Sequence, residues 1–275
     1  MRRIFLTDNG SLRPEATLNL RRVASRLSAM TGRKVEPVSL LHSSKVPVKK
    51  LGGEPAQTVG PSIREAAEKG EREFLILPFF FGPSRALTDY LPRRIAQLEE
   101  EFSGLDVQIA KPLVDMEGPA DSRIAHILKE GVLACIPAGS RPPVILVDHG
   151  SPEPAVTAVR NVLAGQLSLL LEEEVSRVVP ASMERRKGSE YAFSDPLLED
   201  LLDRTTSWAS PVIISMLFLS PGRHAGPDGD IAAICREAEK RNPGLKTVMT
   251  GLVGEQDGVA EILADRLEEA LGGRD

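Results

Sequence analysis

The chain has 275 residues, of which 41% are hydrophobic and 27% charged, enough apolar material for one large or two ordinary domains with real cores. Its 34 Lys and Arg against 39 Asp and Glu leave a formal net charge of −5 with no long basic block, which argues against a nucleic-acid or anionic-membrane surface. Two distant cysteines, Cys135 and Cys235, give no cluster or disulfide framework. The longest apolar run, Phe74 to Phe81, is too short for a bilayer and is broken by Pro78, and no signal-peptide core follows Met1, so a soluble cytoplasmic protein is expected.

Arg3 to Thr7 reads as a strand, and Pro14 to Met30 as a helix with Leu18, Leu20, Val23 and Leu27 on its apolar side. A second strand, Lys34 to Leu40, precedes a helix over Pro61 to Lys69. Phe74 to Phe80 is a buried strand followed by a helix from Asp89 to Phe102. Val107 to Pro112 is a fourth strand, and Ala120 to Ile136 the helix that ends this half. Pro137 to Pro143 reads as a linker. The pattern then restarts. Strands are expected at Val144–Val147, Val175–Ala181, Val212–Leu219 and Leu245–Met249. Helices are expected at Glu153–Leu171, Pro196–Trp208, Ile231–Arg241 and Val259–Leu271.

Strands alternating with helices of this length imply βαβ units and parallel sheets covered on both faces. The expected fold is therefore α/β, with two tandem doubly wound domains, 1–139 and 140–275, related by internal duplication. The residues support the repeat. Leu6-Thr-Asp-Asn-Gly-Ser-Leu-Arg-Pro14 precedes Leu146-Val-Asp-His-Gly-Ser-Pro-Glu-Pro154 by 140 positions, and Thr17 recurs as Thr157. Pro83-Ser-Arg-Ala86 answers Pro221-Gly-Arg-His224, and Pro37-Val-Ser-Leu-Leu41 answers Pro180-Ala-Ser-Met-Glu184.

The repeat is its own control. Positions kept in both halves serve the fold; positions chemically active in one half alone are candidates for function. Three pairs stand out: Asn9 against His149, Leu41 against Glu184, and Ala86 against His224. Each follows the first, second or third strand of its half. With a strand order of 2-1-3-4, the ends of strands 1 and 3 adjoin at the switch point where such sheets bind ligands. His149 and His224 would face each other across a cleft, with Glu184 beside them. Two imidazoles and a carboxylate suit Fe²⁺, Co²⁺ or Ni²⁺, and also proton transfer near neutral pH.

Asp148, His149 and Ser151 do not read as a catalytic triad, because neighbouring residues at a strand end point in alternate directions. Asp8 and Ser11 persist where the histidine is missing and are read as a turn residue and a helix N-cap. Arg223 has a counterpart in Arg85, yet beside His224 it suits a substrate carboxylate. Arg185, Arg186 and Lys187 read as a solvated run that would attract a polyanion. His42 and His126 read as surface or packing residues, and Trp208 as core. No Walker loop, dinucleotide fingerprint or His-Glu-x-x-His motif is present.

Asp148-His-Gly-Ser151 after a first strand, Met183-Glu184 after a second, and Phe218-Leu-Ser-Pro-Gly-Arg-His224 with Asp230-Ile231 after a third resemble the sirohydrochlorin chelatase family, among the class II tetrapyrrole metal chelatases. The first half, with Phe80-Phe-Gly-Pro-Ser-Arg85, resembles a degenerate copy, so the resemblance is to the long, tandem-duplicated form. It implies insertion of Co²⁺ or Fe²⁺ into sirohydrochlorin, towards cobalamin or sirohaem, at a cleft between the domains. His149 and His224 would hold the metal, and Glu184 or one of them would take a proton. Gly150, Ser151 and Arg223 would meet the substrate, and Asp228 and Asp230 compete for the place of the family's acid. The implied partners are a tetrapyrrole and a divalent metal as substrate, without an organic cofactor, in a monomer acting as an internal pseudo-dimer. A non-catalytic metal or tetrapyrrole carrier, and a chelatase for a different tetrapyrrole, are the rival readings.

Overall fold

A computed structural model describes residues 2–118, 120–204, 208 and 211–272. In chain order its regular elements are β1 (Arg3–Thr7), α1 (Pro14–Thr31), β2 (Val35–Ser39), β3 (Gln57–Thr58), α2 (Val59–Glu68) and β4 (Glu73–Pro78). There follow α3 (Leu91–Glu101), β5 (Asp106–Ile109), α4 (Arg123–Leu133), β6 (Pro143–Asp148), α5 (Pro154–Leu170) and β7 (Arg177–Ser182). The chain ends with α6 (Leu198–Arg204), β8 (Val212–Met216), α7 (Asp230–Arg241), β9 (Thr247–Met249) and α8 (Gly258–Ala270).

Two parallel sheets result, in the orders β3-β2-β1-β4-β5 and β7-β6-β8-β9. Apart from the short edge strand β3, both show the expected 2-1-3-4 winding. The central strands read as unbroken apolar runs because helices cover both faces: Phe5, Leu6 and Phe74 to Leu77 are buried in the first sheet, and Val144 to Val147 with Val212 to Ile214 in the second. Among the described residues no helix is long and apolar enough to cross a membrane.

Several boundaries differ from expectation. The helix expected from Asp89 begins at Leu91, entered through one wide π turn over Ala86–Tyr90. The helix expected over Pro196–Trp208 runs Leu198–Arg204, and residues 205–207 lie outside the described residues. Trp208 is half-buried against the second core, with the Arg177 guanidinium 5.1 Å above its ring. Ser11 and Ser151 are not N-caps. Arg13 and Glu153 occupy those positions, and each serine instead accepts the backbone N–H two residues ahead, at 3.0 and 3.1 Å. His42 and His126 are exposed.

The largest difference concerns how the chain is partitioned. The expected boundary between residues 139 and 140 separates two sequence repeats, but the compact units are residues 1–118 with 257–275, and residues 119–256. The last helix of each repeat has changed places. Helix α4 packs against α5 and β8, and α8 against α1 and β4. Sequence similarity identifies homologous helices; it does not say which of two equivalent sheets each one covers.

Candidate functional site

The site grows from three strand ends in the second unit. β6 ends at Asp148 and turns sharply at Gly150, whose φ is +91°. The turn lies against the chain leaving β7: Met183 N donates to Asp148 O at 2.8 Å, and Glu184 N to His149 O at 3.2 Å. A Cβ on Gly150 would lie 1.9 Å from Glu184 O, so only glycine permits this approach. β8, the neighbour of β6, leads into the loop that carries His224.

These strand ends bring the sequence-derived residues together. The His149 and His224 rings are 4.5 Å apart between centroids and inclined at 54°. Glu184 Oε1 is 3.3 Å from His149 Nε2. All three side chains reach solvent, with exposures of 46% for His149, 63% for Glu184 and 31% for His224. Arg223 is exposed too, with Nε 3.5 Å from Asp230 Oδ2. The run after Glu184 is only partly a free solvated face. Arg185 donates to Asp195 at 2.7 Å, and Arg186 lies 5.9 Å from the centre of the Tyr191 ring.

Of the two candidate acids, Asp230 is the first residue of α7, and Asp228 is exposed on the loop before it. Asp230 Oδ2 is 2.7 Å from His224 Nδ1. A carboxylate only accepts, so Nδ1 carries a proton, and in the neutral ring the lone pair of His224 is on Nε2. His149 is fixed in the same sense. Its Nδ1 is 3.0 Å from the Gly150 carbonyl, another pure acceptor, which leaves Nε2 towards Glu184. An imidazole lone pair facing a carboxylate at 3.3 Å is acceptor against acceptor, stable only with a proton or a cation between them. No group of three or more His, Cys, Asp or Glu is assembled as a metal cluster among the described residues.

The first unit has the same frame without the chemistry. Leu40 N donates to Asp8 O at 2.8 Å, and Leu41 N to Asn9 O at 3.2 Å. Gly10, at φ +85°, has Leu41 O only 1.7 Å from where its Cβ would be. The pairing of Asn9 with His149 and Leu41 with Glu184 thus holds bond for bond. It also gives Gly150 a part in the frame, since its equivalent Gly10 makes the same close approach beside Asn9 and Leu41.

Sequence reading missed a buried ion pair behind the site. Arg160 on α5 is 1% exposed, and its Nη1 lies 3.6 Å from Asp148 Oδ1. Burial raises the Asp148 carboxyl above its ordinary range, and the Arg160 charge opposes that rise. The signal was available: 140 positions earlier stands Leu20. Asp8 therefore lacks the cation, and burial pushes its carboxyl up to about 6 despite a hydrogen bond with Ser39. Asp8 is thus no turn residue but a buried polar group under the strand end, 9% exposed.

Unfolded aspartate titrates near ~3.9, so the folded state holds the Asp8 proton more tightly. Its contribution is fully favourable below pH ~4, is lost as pH rises towards about 6, and stays lost above. The difference of about two pKa units corresponds to ~3 kcal/mol. Asp8→Asn is expected to gain up to that much stability at pH 7.5 and nothing at pH 4, as read by urea melts at both values. A gain that does not depend on pH would contradict the assignment.

The CbiX family model matches the chain twice, over residues 3–132 and 143–270. Solved structures share the fold. SirB from Bacillus subtilis with Fe³⁺ superposes with a TM-score of 0.73 at 15% identity, covering 99% of this chain and 96% of that one. CbiX, described as the terminal enzyme for biosynthesis of siroheme in denitrifying bacteria, gives 0.65 at 17% identity, covering 98% and 100%. DR2241 from Deinococcus radiodurans, a multi-domain protein with structural similarity to chelatases, gives 0.64 at 18%; the match spans all of this chain and 56% of that one. A comparison with curated protein sequences finds no match. With both repeats matched by one family model, and the His-Gly-Ser and Pro-Gly-Arg-His segments side by side at the strand ends of the second, the chain belongs to the CbiX family of sirohydrochlorin chelatases, as a tandem duplication.

Proposed function

We propose that the protein inserts a divalent first-row metal, Co²⁺ or Fe²⁺, into sirohydrochlorin, towards cobalamin or sirohaem, at the site formed by His149, Glu184 and His224. The observation that carries this reading is His149 Nε2 facing the Glu184 carboxylate, with the His224 ring 4.5 Å from that of His149. Two donors each ~2.1 Å from one metal ion stand ~3.0 Å apart at a right angle and ~3.4 Å apart at the tetrahedral angle. His149 Nε2 and Glu184 Oε1 are 3.3 Å apart, spaced for one ion between them. The ion is a substrate, and a site with so few protein ligands keeps positions open for ring nitrogens. Imidazole and carboxylate accept Fe²⁺, Co²⁺ and Ni²⁺ alike.

Insertion must strip water from the ion and remove two pyrrole protons. The ion is received between His149 and Glu184 with the His224 ring beside them, and Glu184 or one of the imidazoles accepts a proton as the ring nitrogens take the ion over. Asp230 holds the Nδ1 side of His224, which leaves Nε2 for the ion. In this reading Arg223, exposed beside Asp230, and the Ser151 hydroxyl meet substrate carboxylates.

The test is anaerobic spectrophotometry of sirohydrochlorin with protein and Co²⁺ or Fe²⁺. Wild type is expected to speed appearance of the metallated spectrum over the metal-only control, and His149→Ala and His224→Ala each to lose about 10²-fold or more of that rate. Tight tetrapyrrole binding with no acceleration would replace the enzyme by a carrier.

A further inference from the structure

We propose that Arg160 is a positioning residue that holds the His149 turn and the Glu184 loop in register, and that it is the fourth position, after His149, Glu184 and His224, separating the working half from its inert copy. The proposal rests on the metal-insertion reading only for its Co²⁺ titration.

Arg160 is wholly buried on α5, where a guanidinium loses its hydration and is retained only if its donors are used. They are used on three segments around the site. Nη1 lies 3.6 Å from Asp148 Oδ1, directly before His149, and donates to Ser182 Oγ at 2.5 Å, two residues before Glu184. It also donates to Ser194 O at 3.0 Å, near the far end of the loop that Glu184 opens. Nε and Nη2 are held by Asn161 Oδ1 at 3.1 and 3.0 Å, which fixes the plane of the fork. Ser194 in turn donates its hydroxyl to Ser151 O at 3.2 Å, returning to the turn that carries His149. The loop is also closed at its base by Ser182 N to Pro196 O at 3.0 Å and by Arg185 with Asp195. Arg160 is thus the buried member that joins the His149 turn to the Glu184 loop from behind.

The first unit shows that the frame does not require this residue for folding. Leu20 stands in its place, Asp8 has no cation, and the backbone bonds between the two strand ends are the same. In that unit Ser39 Oγ is met by the Ser43 hydroxyl at 2.8 Å, and Asn9 and Leu41 stand where the second unit has His149 and Glu184. A buried arginine found only where donors must be aligned acts on those donors.

The experiment compares wild type with Arg160→Leu, Arg160→Lys and the double variant Arg160→Leu with Asp148→Asn. The double variant removes both charges, so it keeps a folded test available if the single change leaves Asp148 too costly to bury. Two readouts are used besides thermal unfolding: hydrogen exchange of residues 148–153 and 184–195, and Co²⁺ titration of the protein alone. Exchange in both segments is expected to rise at least tenfold while β6 and β8 stay protected. Co²⁺ affinity is expected to fall about 10- to 100-fold, as when a partner of a metal ligand is removed. Arg160→Lys, which keeps the charge and loses the fork, should recover part of the affinity. A variant that unfolds earlier but keeps wild-type exchange in these segments and wild-type Co²⁺ affinity would make Arg160 a packing residue and overturn the proposal. If wild type bound Co²⁺ but failed to metallate sirohydrochlorin, the function above would fall, while exchange and titration would still judge Arg160.

Discussion

Gly150→Ala is expected to dismantle the site and cut the metallation rate by at least about 10²-fold, with a loss of roughly 2–4 kcal/mol of stability. The new methyl group would sit 1.9 Å from the Glu184 carbonyl oxygen on a backbone at φ +91°, where a residue with a side chain is already strained. Relief requires the two strand ends to part by more than an ångström. That breaks the bond from Glu184 N to His149 O and moves the carboxylate from the imidazole it faces. The matched control is Gly10→Ala, whose methyl would lie 1.7 Å from Leu41 O. It should cost similar stability while leaving the rate per folded molecule unchanged. Urea melts and anaerobic metallation assays on both variants check the pair; wild-type turnover in Gly150→Ala would show that the turn does not govern the site.

The second large effect concerns where the chain can be cut. A fragment 119–256 is expected to fold as a monomer, whereas 140–275, the sequence repeat itself, is expected to be folded only as a dimer that exchanges α8. The first fragment holds a whole compact unit. The second lacks α4, whose buried Ile124, Ala125, Leu128 and Val132 face α5 and β8, and carries α8 without the sheet it covers. Helix α8 buries Val259, Ile262, Leu263 and Leu267. At ~1.5–3 kcal/mol each, these four contribute roughly 6–12 kcal/mol. That is comparable to the entire net stability of a domain, about 5–15 kcal/mol. Exposed in a lone repeat, such a face would seek the equivalent groove of a second copy. Sedimentation and thermal melts of the two fragments decide it: a stable monomeric 140–275 would mean that α8 can serve its own repeat.

Much of the fold is legible in the chain because the physics is local. Buried parallel strands such as Phe74–Leu77 and Val144–Val147 declare themselves as unbroken apolar runs, and α1 and α5 by a proline in their first turn. The three site positions were visible because duplication supplies a blank, and the structure brings them together. What escaped notice depends on contacts distant in sequence. β3 is two residues long and exists only by pairing with Val38 and Ser39. Arg160 looks like one more residue of a helix's polar face until its burial is known. Asp230 and Asp228 are equivalent on paper, and only the loop after β8 decides which of them reaches His224. The exchange of α4 and α8 is invisible to any comparison of the repeats, because both helices carry the same kind of apolar face.

The surviving frame in the first unit bears on the order in which a duplicated gene product can decay. A histidine or glutamate at a strand end holds no other part of the chain in place, so a redundant copy can shed it in a single substitution at no cost to folding. Gly10 is different: with Leu41 O where its Cβ would be, any replacement harms the whole molecule whether or not the copy still has a task. Chemistry is therefore the first thing such a copy forgets and backbone geometry the last. The turn at Gly10 keeps the geometry of its twin at Gly150, with Asn9 and Leu41 where the twin has a histidine and a glutamate.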